Sequence, residues 1–548
     1  MPLIDSERFA GRVIILYVLI TVPLWRMLIQ HKYGIFYLEV FVIGLFALLP
    51  CLAGALIGRK AIYFYATVLF LIVLQSSNSV QMEFFPNLRI RWIILSLTVC
   101  VGTVMILMRK KFFPVLLIFL GGMLLVDLTG VLRGPAQALM ARDRARNTGT
   151  KLQHVVYIIF DEFIGLEGIP TDIEGGLQVK SDLRNVLSKN HFTIYPFAFS
   201  NYRSTSDSIP SILNNRLLNS TGEYLSEAGK NKLTRSLLFE EFLKKGYSIR
   251  IYQSNYIDFS RGGISPFAVR TYKFDSLAAM HLIDMDWSKR LHQILTLYLQ
   301  SDAFWWENYQ VLLPLRIHPT RYRMAPLATQ EVWPSALLAD IKTARQNTLF
   351  FAHLLTPHYP YVYRRDGTVR NVTGWSHERN IEFYQETEYK HWYRNYLEQV
   401  DFLALQLEEF FHELRLAGVF ESTMVVIHGD HGSRLRLLDE GERAARENLL
   451  YESHKCPPSN RYDYVSAPKL QDLLNRFSTL LAIKSAGATQ PSEVRSRGSV
   501  LFFLRGLLWP SQSESQAVNR VYLFDAEGLP RGIPLREIWQ ERGIEGEQ

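Results

Sequence analysis

The stretch IHGDHG, residues 427–432, directly follows the β-branched, apolar run Thr423–Ile427. A run of this kind predicts a buried strand of a parallel sheet. An aspartate and a histidine between two glycines then stand at the carboxyl end of that strand, where open α/β sheets hold their binding sites. Carboxylate and imidazole groups are ligands for divalent metal ions. Asp430 and His431 are therefore candidate metal ligands, and the motif gains weight from similar clusters elsewhere in the chain.

A second cluster follows another predicted strand. Asp161 and Glu162 come directly after the β-rich run His154–Phe160. Two adjacent carboxylates at the end of a strand suit a divalent cation. They suit a helix N-terminus equally well, because an acidic N-cap is favoured by the helix dipole. The residues alone leave both interpretations open.

Two further segments carry polar side chains at predicted element ends. The segment 201–211 (NYRSTSDSIPS) offers several hydroxyls around a predicted helix start, which can stabilise a phosphate or serve only as a Ser/Thr-rich cap. The segment 353–361 (HLLTPHYPY) presents His358 on a proline-pinned loop after the predicted strand Thr348–Leu354. His358 can bind a metal or a phosphate, or it can be an ordinary surface histidine.

The chain from about residue 151 alternates strands with helices. A helix is predicted over Leu233–Lys245 and a strand over Tyr247–Tyr252. A long amphipathic helix, with apolar residues at three-and-four spacing from Tyr396, is predicted to end at Gly418. This alternation predicts an α/β domain with a mostly parallel central sheet covered by helices on both faces.

The first 132 residues differ from the rest of the chain. They contain apolar segments at about 13–29, 35–57, 61–74, 92–108 and 112–132, which predict an N-terminal helical transmembrane domain of about five spans. Basic residues in alternate loops, including Arg59, Lys60 and Arg109, indicate the cytoplasmic side. We therefore expect a multi-pass membrane protein whose C-terminal domain is extracytoplasmic.

Composition excludes two classes of protein. The formal net charge is +8, but the basic residues are scattered and form no stripe interleaved with aromatic residues, so no nucleic-acid partner is expected. The chain has three cysteines, of which only Cys456 lies outside the apolar segments. The C-terminal region therefore cannot contain a disulfide framework of its own.

Taken in order, Asp161, Thr205, His358 and the Asp430-His431 pair resemble the motifs of the alkaline phosphatase and sulfatase superfamily over about residues 151–485. Within it, the chain looks most like membrane-anchored phosphoglycerol and phosphoethanolamine transferases, including lipoteichoic acid synthases. Residues 205–208 (TSDS) resemble the nucleophile segment of those synthases. The resemblance implies a sulfatase-like catalytic domain behind a membrane anchor.

The resemblance also implies roles for individual residues. Thr205 would be the nucleophile, and one divalent ion would be held by Asp161, Thr205, Asp430 and His431, with Glu162 either a further ligand or a bystander. The mixed ligands favour Mn²⁺ or Zn²⁺ over Mg²⁺. The residues implied for substrate binding are His358, Arg261 and His454.

The implied reaction is transfer of a phospholipid headgroup phosphate ester, phosphoglycerol or phosphoethanolamine, through a phospho-threonine intermediate. The implied partners are a membrane phospholipid donor, a glycan or lipid acceptor of the cell envelope, and the bilayer. A phospho- or sulfo-ester hydrolase and a non-catalytic scaffold of the same fold remain alternatives. A formylglycine sulfatase is disfavoured because Ser208-Ile209-Pro210-Ser211 is followed by Ile212 and not by arginine.

The predicted domain organisation has four parts. Residues 1–132 form the transmembrane domain, and residues 133–152 form a juxtamembrane linker. Residues 153–485 form the extracytoplasmic catalytic domain, with a mostly helical insert at about 276–344. Residues 486–548 form a C-terminal extension that packs on the catalytic domain.

Overall fold

The structure is a computed structural model that describes residues 153–226, 232–254, 256–259, 268–272, 325–370, 382–383, 385–437, 470–509, 520–524 and 530–534. The predicted transmembrane domain, the linker, Arg261, His454 and most of the predicted insert lie outside these residues. Within the described residues, no helix is both long enough and apolar enough to cross a bilayer.

The described strands, in chain order, are β1 (His154–Phe160), β2 (Thr193–Ile194), β3 (Ala198–Phe199), β4 (Leu225–Ser226), β5 (Lys232–Leu233), β6 (Ser248–Ser254), β7 (Ala268–Tyr272), β8 (Thr348–Leu354), β9 (Glu382–Phe383), β10 (Thr423–Gly429), β11 (Arg436–Leu437), β12 (Leu481–Lys484), β13 (Ser492–Glu493), β14 (Gly498–Ser499), β15 (Arg520–Phe524) and β16 (Pro530–Pro534). The described α-helices are α1 (Gly176–Lys189), α2 (Thr205–Leu213), α3 (Leu237–Lys244), α4 (Ala325–Thr329), α5 (Ser335–Thr343), α6 (Glu386–Leu416), α7 (Leu470–Phe477) and α8 (Val500–Leu508).

The central sheet has eight strands in the order β13-β2-β12-β10-β1-β8-β6-β7. β1 pairs in parallel with both β10 and β8, and β6 pairs in parallel with β8 and β7. β12 runs antiparallel to β10 and β2, whereas β13 is parallel to β2. The prediction of a mostly parallel α/β sheet is therefore confirmed.

Both faces of the central sheet are covered, as the run of apolar residues in β1 predicts. All seven residues of β1 are buried. Because side chains alternate along a strand, Val156 and Ile158 belong to one core, with residues of α1, α4, α5 and α6. Tyr157 and Ile159 belong to the other core, with residues of α2, α3 and α8. The strands at the centre of the sheet are thus held by packing from both sides.

The element ends differ from the sequence predictions for local reasons. The predicted helix at Leu233 begins four residues later, because Ser236 caps it by accepting a hydrogen bond from Phe239 N at 3.3 Å. Lys232 and Leu233 instead pair with β4. The strand predicted to end at Ile427 continues to Gly429, which pairs in register with Phe160. The long helix α6 begins at Glu386, ten residues before the periodic pattern was recognisable.

Candidate active site

Three of the predicted polar clusters meet at one edge of the sheet. β1, β8 and β10 are neighbours and run parallel, so the residues that follow them emerge side by side. Asp161 follows β1, Asp430 and His431 follow β10, and the His358 loop follows β8. No α-helix starts at Asp161 in the described chain; a 3₁₀ turn at Leu166–Gly168 comes next. The alternative that these carboxylates cap a helix is therefore excluded.

Thr205 is the first residue of α2 and faces this edge. Its Oγ1 lies 3.4 Å from Asp161 Oδ2 and 3.3 Å from His431 Nε2. The neighbouring hydroxyls have other partners. Ser204 Oγ donates to Asp207 Oδ2 at 2.5 Å, and Ser208 Oγ donates to the Asp430 carbonyl oxygen at 2.5 Å. The structure thus brings Thr205, rather than the flanking serines, against the carboxylate and the imidazole.

His431 presents an unprotonated nitrogen to the other site residues. Its Nδ1 lies 2.9 Å from the Gly432 carbonyl oxygen, which can only accept, so Nδ1 carries the proton. Nε2 is left with its lone pair and lies 3.3 Å from Asp430 Oδ2. Burial lowers the pKa of His431 to about 3, so the ring is neutral at physiological pH. This is the form in which histidine binds metals.

The two aspartates have oxygen atoms that need a partner. Asp430 Oδ1 accepts from Glu162 N at 3.0 Å and from His431 N at 2.9 Å. Asp430 Oδ2 and Asp161 Oδ1 are buried and have no hydrogen-bond partner among the described residues. Burial and the neighbouring Asp430 carboxylate raise the pKa of Asp161 well above its usual value. Two such carboxylates side by side are costly unless a cation compensates them.

These residues fit a divalent metal ion. Asp161, Asp430 and His431 each offer one ligand atom, and the three atoms lie within 4.8 Å of one another. The unpaired oxygens and the free imidazole lone pair are the donors that Mn²⁺ and Zn²⁺ accept, but this donor set does not identify the ion. Asp161 also belongs to a second group, with Glu162 and His358, whose ligand atoms lie equally close together.

Glu162 is held by a partner that the sequence did not reveal. Its Oε1 accepts hydrogen bonds from Arg434 Nη2 and, at 2.9 Å, from Arg434 Nε. Its Oε2 accepts from Tyr359 N at 3.3 Å. The carboxylate is therefore already engaged by a guanidinium, which distinguishes it from the unpaired carboxylate oxygens of Asp161 and Asp430.

His358 lies beside Glu162 and is partly exposed. Its side chain is 15% exposed, and its Nε2 is 3.6 Å from Glu162 Oε1. Its Nδ1 lies 2.5 Å from the Tyr359 carbonyl oxygen, so Nδ1 is the donor and Nε2 is the free nitrogen. The alternative that His358 is an ordinary surface histidine is thus excluded, because its ring lies beside Glu162 and Asp161.

His353 is a further site residue that sequence reasoning did not single out. It is fully buried in β8, and its Nε2 lies 3.4 Å from Asp161 Oδ2. Burial lowers the pKa of His353 to about 4, which keeps the ring neutral. The available signal was a lone polar residue inside the apolar strand TLFFAHL. No comparable signal in the sequence indicated Arg434, because its role depends on its contact with Glu162, which only the folded structure shows.

Helix α6 contacts all three site loops through one buried face. Tyr396 OH donates to the Glu162 carbonyl oxygen at 2.7 Å and accepts from Ile164 N at 3.0 Å. Gln399 Nε2 donates to the carbonyl oxygens of Pro357 and His358 at 2.9 and 3.1 Å.

The same face continues on both sides of Tyr396. Gln399 Oε1 accepts from Val362 N at 2.8 Å and from Tyr363 N at 3.2 Å. Ser433 Oγ donates to Tyr393 OH at 3.4 Å. Residues three apart on this helix therefore fix the loops that carry Asp161, His358 and His431.

Comparison with known proteins places this site in a family. A family model described as Sulfatase matches residues 153–459, which is more than half of the chain. The chain belongs to the sulfatase family. The match spans β1, the Thr205 helix, the His358 loop and the Asp430-His431 turn. The predicted membership of the alkaline phosphatase and sulfatase superfamily is confirmed.

One curated relative of this sulfatase-family chain is lipoteichoic acid synthase 1 of Bacillus subtilis (strain 168). The two are 30% identical over 104 residues, which are 18% of this chain and 14% of that protein. The match therefore spans far less than two thirds of the relative, and the activity of that whole protein is not carried over by it.

Several solved structures also resemble the chain. The lipoteichoic acid synthase LtaP from Listeria monocytogenes has a TM-score of 0.37 and 12% identity, covering 70% of this chain and 85% of that one. A protein of the alkaline phosphatase superfamily from Vibrio parahaemolyticus has a TM-score of 0.38 and 10% identity, covering 72% and 85%. The phosphonate monoester hydrolase SpPMH from Silicibacter pomeroyi has a TM-score of 0.35 and 14% identity, covering 67% and 75%. Such distant similarity says nothing about substrate.

Proposed function

We propose that this protein transfers a phospholipid headgroup phosphate ester, phosphoglycerol or phosphoethanolamine, to a glycan or lipid acceptor of the cell envelope through a phospho-threonine intermediate. One arrangement supports this most directly. The Thr205 hydroxyl oxygen lies 3.4 Å from Asp161 Oδ2 and 3.3 Å from His431 Nε2, in a buried site with two unpaired carboxylate oxygens. A hydroxyl in such a place can be activated as a nucleophile.

The residues divide the chemistry between them. Asp161, Asp430 and His431 would hold a divalent ion, Mn²⁺ or Zn²⁺, whose positive charge would lower the pKa of the Thr205 hydroxyl. Thr205 Oγ1 bonds to the headgroup phosphorus while the bond from phosphorus to the diacylglycerol oxygen breaks, and that oxygen takes up a proton. The imidazole ring of His358 contacts the phosphate ester and orients it. An acceptor hydroxyl then bonds to phosphorus, and the Thr205 ester is broken.

We place this reaction at the outer face of the bacterial plasma membrane. The five apolar segments within residues 1–132 would tether the catalytic domain beside its lipid donor. Because the donor is confined to the leaflet, tethering raises its effective concentration at the site. Arg261 and His454 stay proposed as additional substrate contacts.

The test uses the full-length protein in vesicles that contain headgroup-labelled phosphatidylglycerol or phosphatidylethanolamine. We expect diacylglycerol to form at a rate that Thr205→Ala lowers by more than about a thousandfold, since the nucleophile is lost. Ser206→Ala is the matched control, because Ser206 is half-buried and its hydroxyl contacts only the Ser204 hydroxyl at 3.3 Å among the described residues.

The outcomes separate headgroup transfer from ester hydrolysis, which the sequence left open. Diacylglycerol release without a labelled acceptor product, in the presence of envelope glycans, would indicate a hydrolase that uses water. Hydrolysis of soluble sulfate or phosphate esters with intact lipid headgroups would indicate an ester hydrolase of different specificity. Unchanged diacylglycerol release by Thr205→Ala would overturn the proposed intermediate.

A further inference from the structure

We propose that Arg434 is a substrate contact that binds a non-bridging oxygen of the phosphate ester, while Glu162 positions its guanidinium. The inference rests on the proposed function only in naming a phosphate ester as the ligand. Arg434 stands three residues after His431, on the same turn beyond β10. Its partner Glu162 stands beside Asp161 at the end of β1. The pair therefore links the two turns that carry the candidate metal ligands.

The backbone of both residues is in an unfavourable region. Glu162 has φ 63° and Arg434 has φ 56°, which is left-handed backbone that residues with a Cβ atom rarely adopt. Glycine would adopt either conformation at lower cost. Strained residues of this kind are concentrated at functional sites, where the surrounding structure holds them in place. The two residues form one ion pair, so the unfavourable backbone conformations coincide with the contact between their side chains.

The ion pair leaves part of the guanidinium available. Arg434 uses Nε and Nη2, and both donate to the same carboxylate oxygen, Glu162 Oε1. A guanidinium has five N–H donors. The Glu162 side chain is fully buried, whereas the Arg434 side chain is 32% exposed. In the hydrogen bonds found within the described chain, Nη1 takes no part, so it is available to bind a ligand.

The charges around Arg434 define what that ligand would be. Arg434 interacts electrostatically with Asp161 and Asp430 as well as with Glu162. The three carboxylates, the guanidinium and one divalent ion would together be neutral, with His431 unprotonated. Without Arg434 the same site would be negative and would repel an anion. A planar guanidinium also matches the oxygens of a phosphate group better than a lysine ammonium does.

The experiment measures binding without turnover. Isothermal titration calorimetry of glycerol phosphate is performed on the full-length protein in detergent with saturating Mn²⁺, and bound metal is measured by mass spectrometry. Arg434→Met removes the charge but keeps a long side chain, and we expect it to weaken binding about tenfold or more at unchanged metal content. Arg434→Lys keeps the charge but lacks the planar guanidinium, so its affinity should lie between those of Arg434→Met and wild type.

The control is Arg495→Met, which makes the same charge change at a side chain that is 82% exposed. It should alter glycerol phosphate affinity less than about twofold, since exposed charges are screened.

Equal affinity in wild type, Arg434→Met and Arg434→Lys would overturn the inference about Arg434, but it would not contradict the proposed headgroup transfer. Loss of metal from both variants would also overturn the inference about Arg434, because the pair would then only support the ligands. Arg434-dependent binding in a wild-type protein that releases no diacylglycerol would instead overturn the proposed function alone.

Discussion

At the scale of single residues, the main feature of the candidate site is a buried Asp161 oxygen without a hydrogen-bond partner among the described residues. Burial with the adjacent Asp430 carboxylate raises the pKa of Asp161 well above the usual value. A carboxyl whose pKa is higher in the folded state binds protons better when folded, so its contribution to stability falls as the pH rises above its unfolded pKa. In the metal-free protein, Asp161 is therefore expected to destabilise the fold at neutral and alkaline pH.

Asp161→Asn tests this expectation in the full-length, metal-free protein. The substitution removes the buried charge, so we expect the thermal midpoint at pH 8 to rise by roughly 2–8 °C over wild type, with the difference closing towards pH 4. Added Mn²⁺ should raise the midpoint of wild type but not that of the variant, because one ligand is lost. The measurement is thermal unfolding in chelator across this pH range.

A difference in thermal midpoint between wild type and Asp161→Asn that does not change with pH would refute the assignment of the raised pKa to Asp161.

The two proteins must be compared because three buried histidines, His431, His353 and His428, change the stability with pH in the opposite direction. Burial lowers the pKa of these histidines to about 3, 4 and 4 respectively. They therefore reduce the stability of both proteins as the pH falls below the unfolded histidine value.

At the scale of elements, helix α6 positions the site without contributing a candidate catalytic group. Gln399 makes four hydrogen bonds to the loop that presents His358, two as donor and two as acceptor. Pro357 and Pro360 have no backbone N–H to donate, and the buried Gln399 amide bonds four backbone groups of this loop, which favours one loop conformation. His358 is thereby held against Glu162.

Gln399→Leu is expected to lower kcat/KM for headgroup transfer by about 10–100-fold, because it leaves buried backbone groups of the His358 loop unpaired. Gln406→Leu is the matched control on the same helix. Gln406 is buried two turns away and bonds Trp333 Nε1 and Gln330, not a site loop. Both variants should lose stability, but only Gln399→Leu should lose activity at full metal content. Equal losses of kcat/KM in the two would refute a positioning role for Gln399.

The sequence predicted the parts of the site that depend on strand ends and missed those that depend on tertiary contact. Asp161 and Asp430 could be paired in advance, because buried parallel strands bring their carboxyl ends to one edge. Thr205 was separated from Ser204 and Ser206 only by resemblance to a family. The contacts of Gln399 and Arg434 could not be predicted, because helical periodicity does not tell which loop a buried polar side chain will meet.

At the scale of the whole molecule, the sulfatase family model matches residues 153–459, and the predicted membrane anchor lies outside the residues that the structure describes. The orientation that we propose can be tested through Leu177, whose side chain is 67% exposed at the start of α1. Leu177→Cys is made in a chain whose three native cysteines are replaced by serine.

We expect a membrane-impermeant maleimide to label Leu177→Cys in intact spheroplasts as fully as after permeabilisation, because the domain would face outwards. The cysteine-free parent should remain unlabelled, and the protein should stay in the membrane fraction at high pH. Labelling that requires permeabilisation would place the domain in the cytoplasm and remove access to the outer leaflet.

The hydrogen bond from Ser208 to the main chain of Asp430 has a mechanical consequence. It fastens the first turn of α2, with Thr205, to the turn that follows β10. If α2 moves, Asp430 moves with it. The distance between Thr205 Oγ1 and the Asp430 carboxylate would therefore stay constant while neighbouring loops move. Substrate binding that displaces neighbouring loops would therefore leave Thr205 and Asp430 at the same distance from each other.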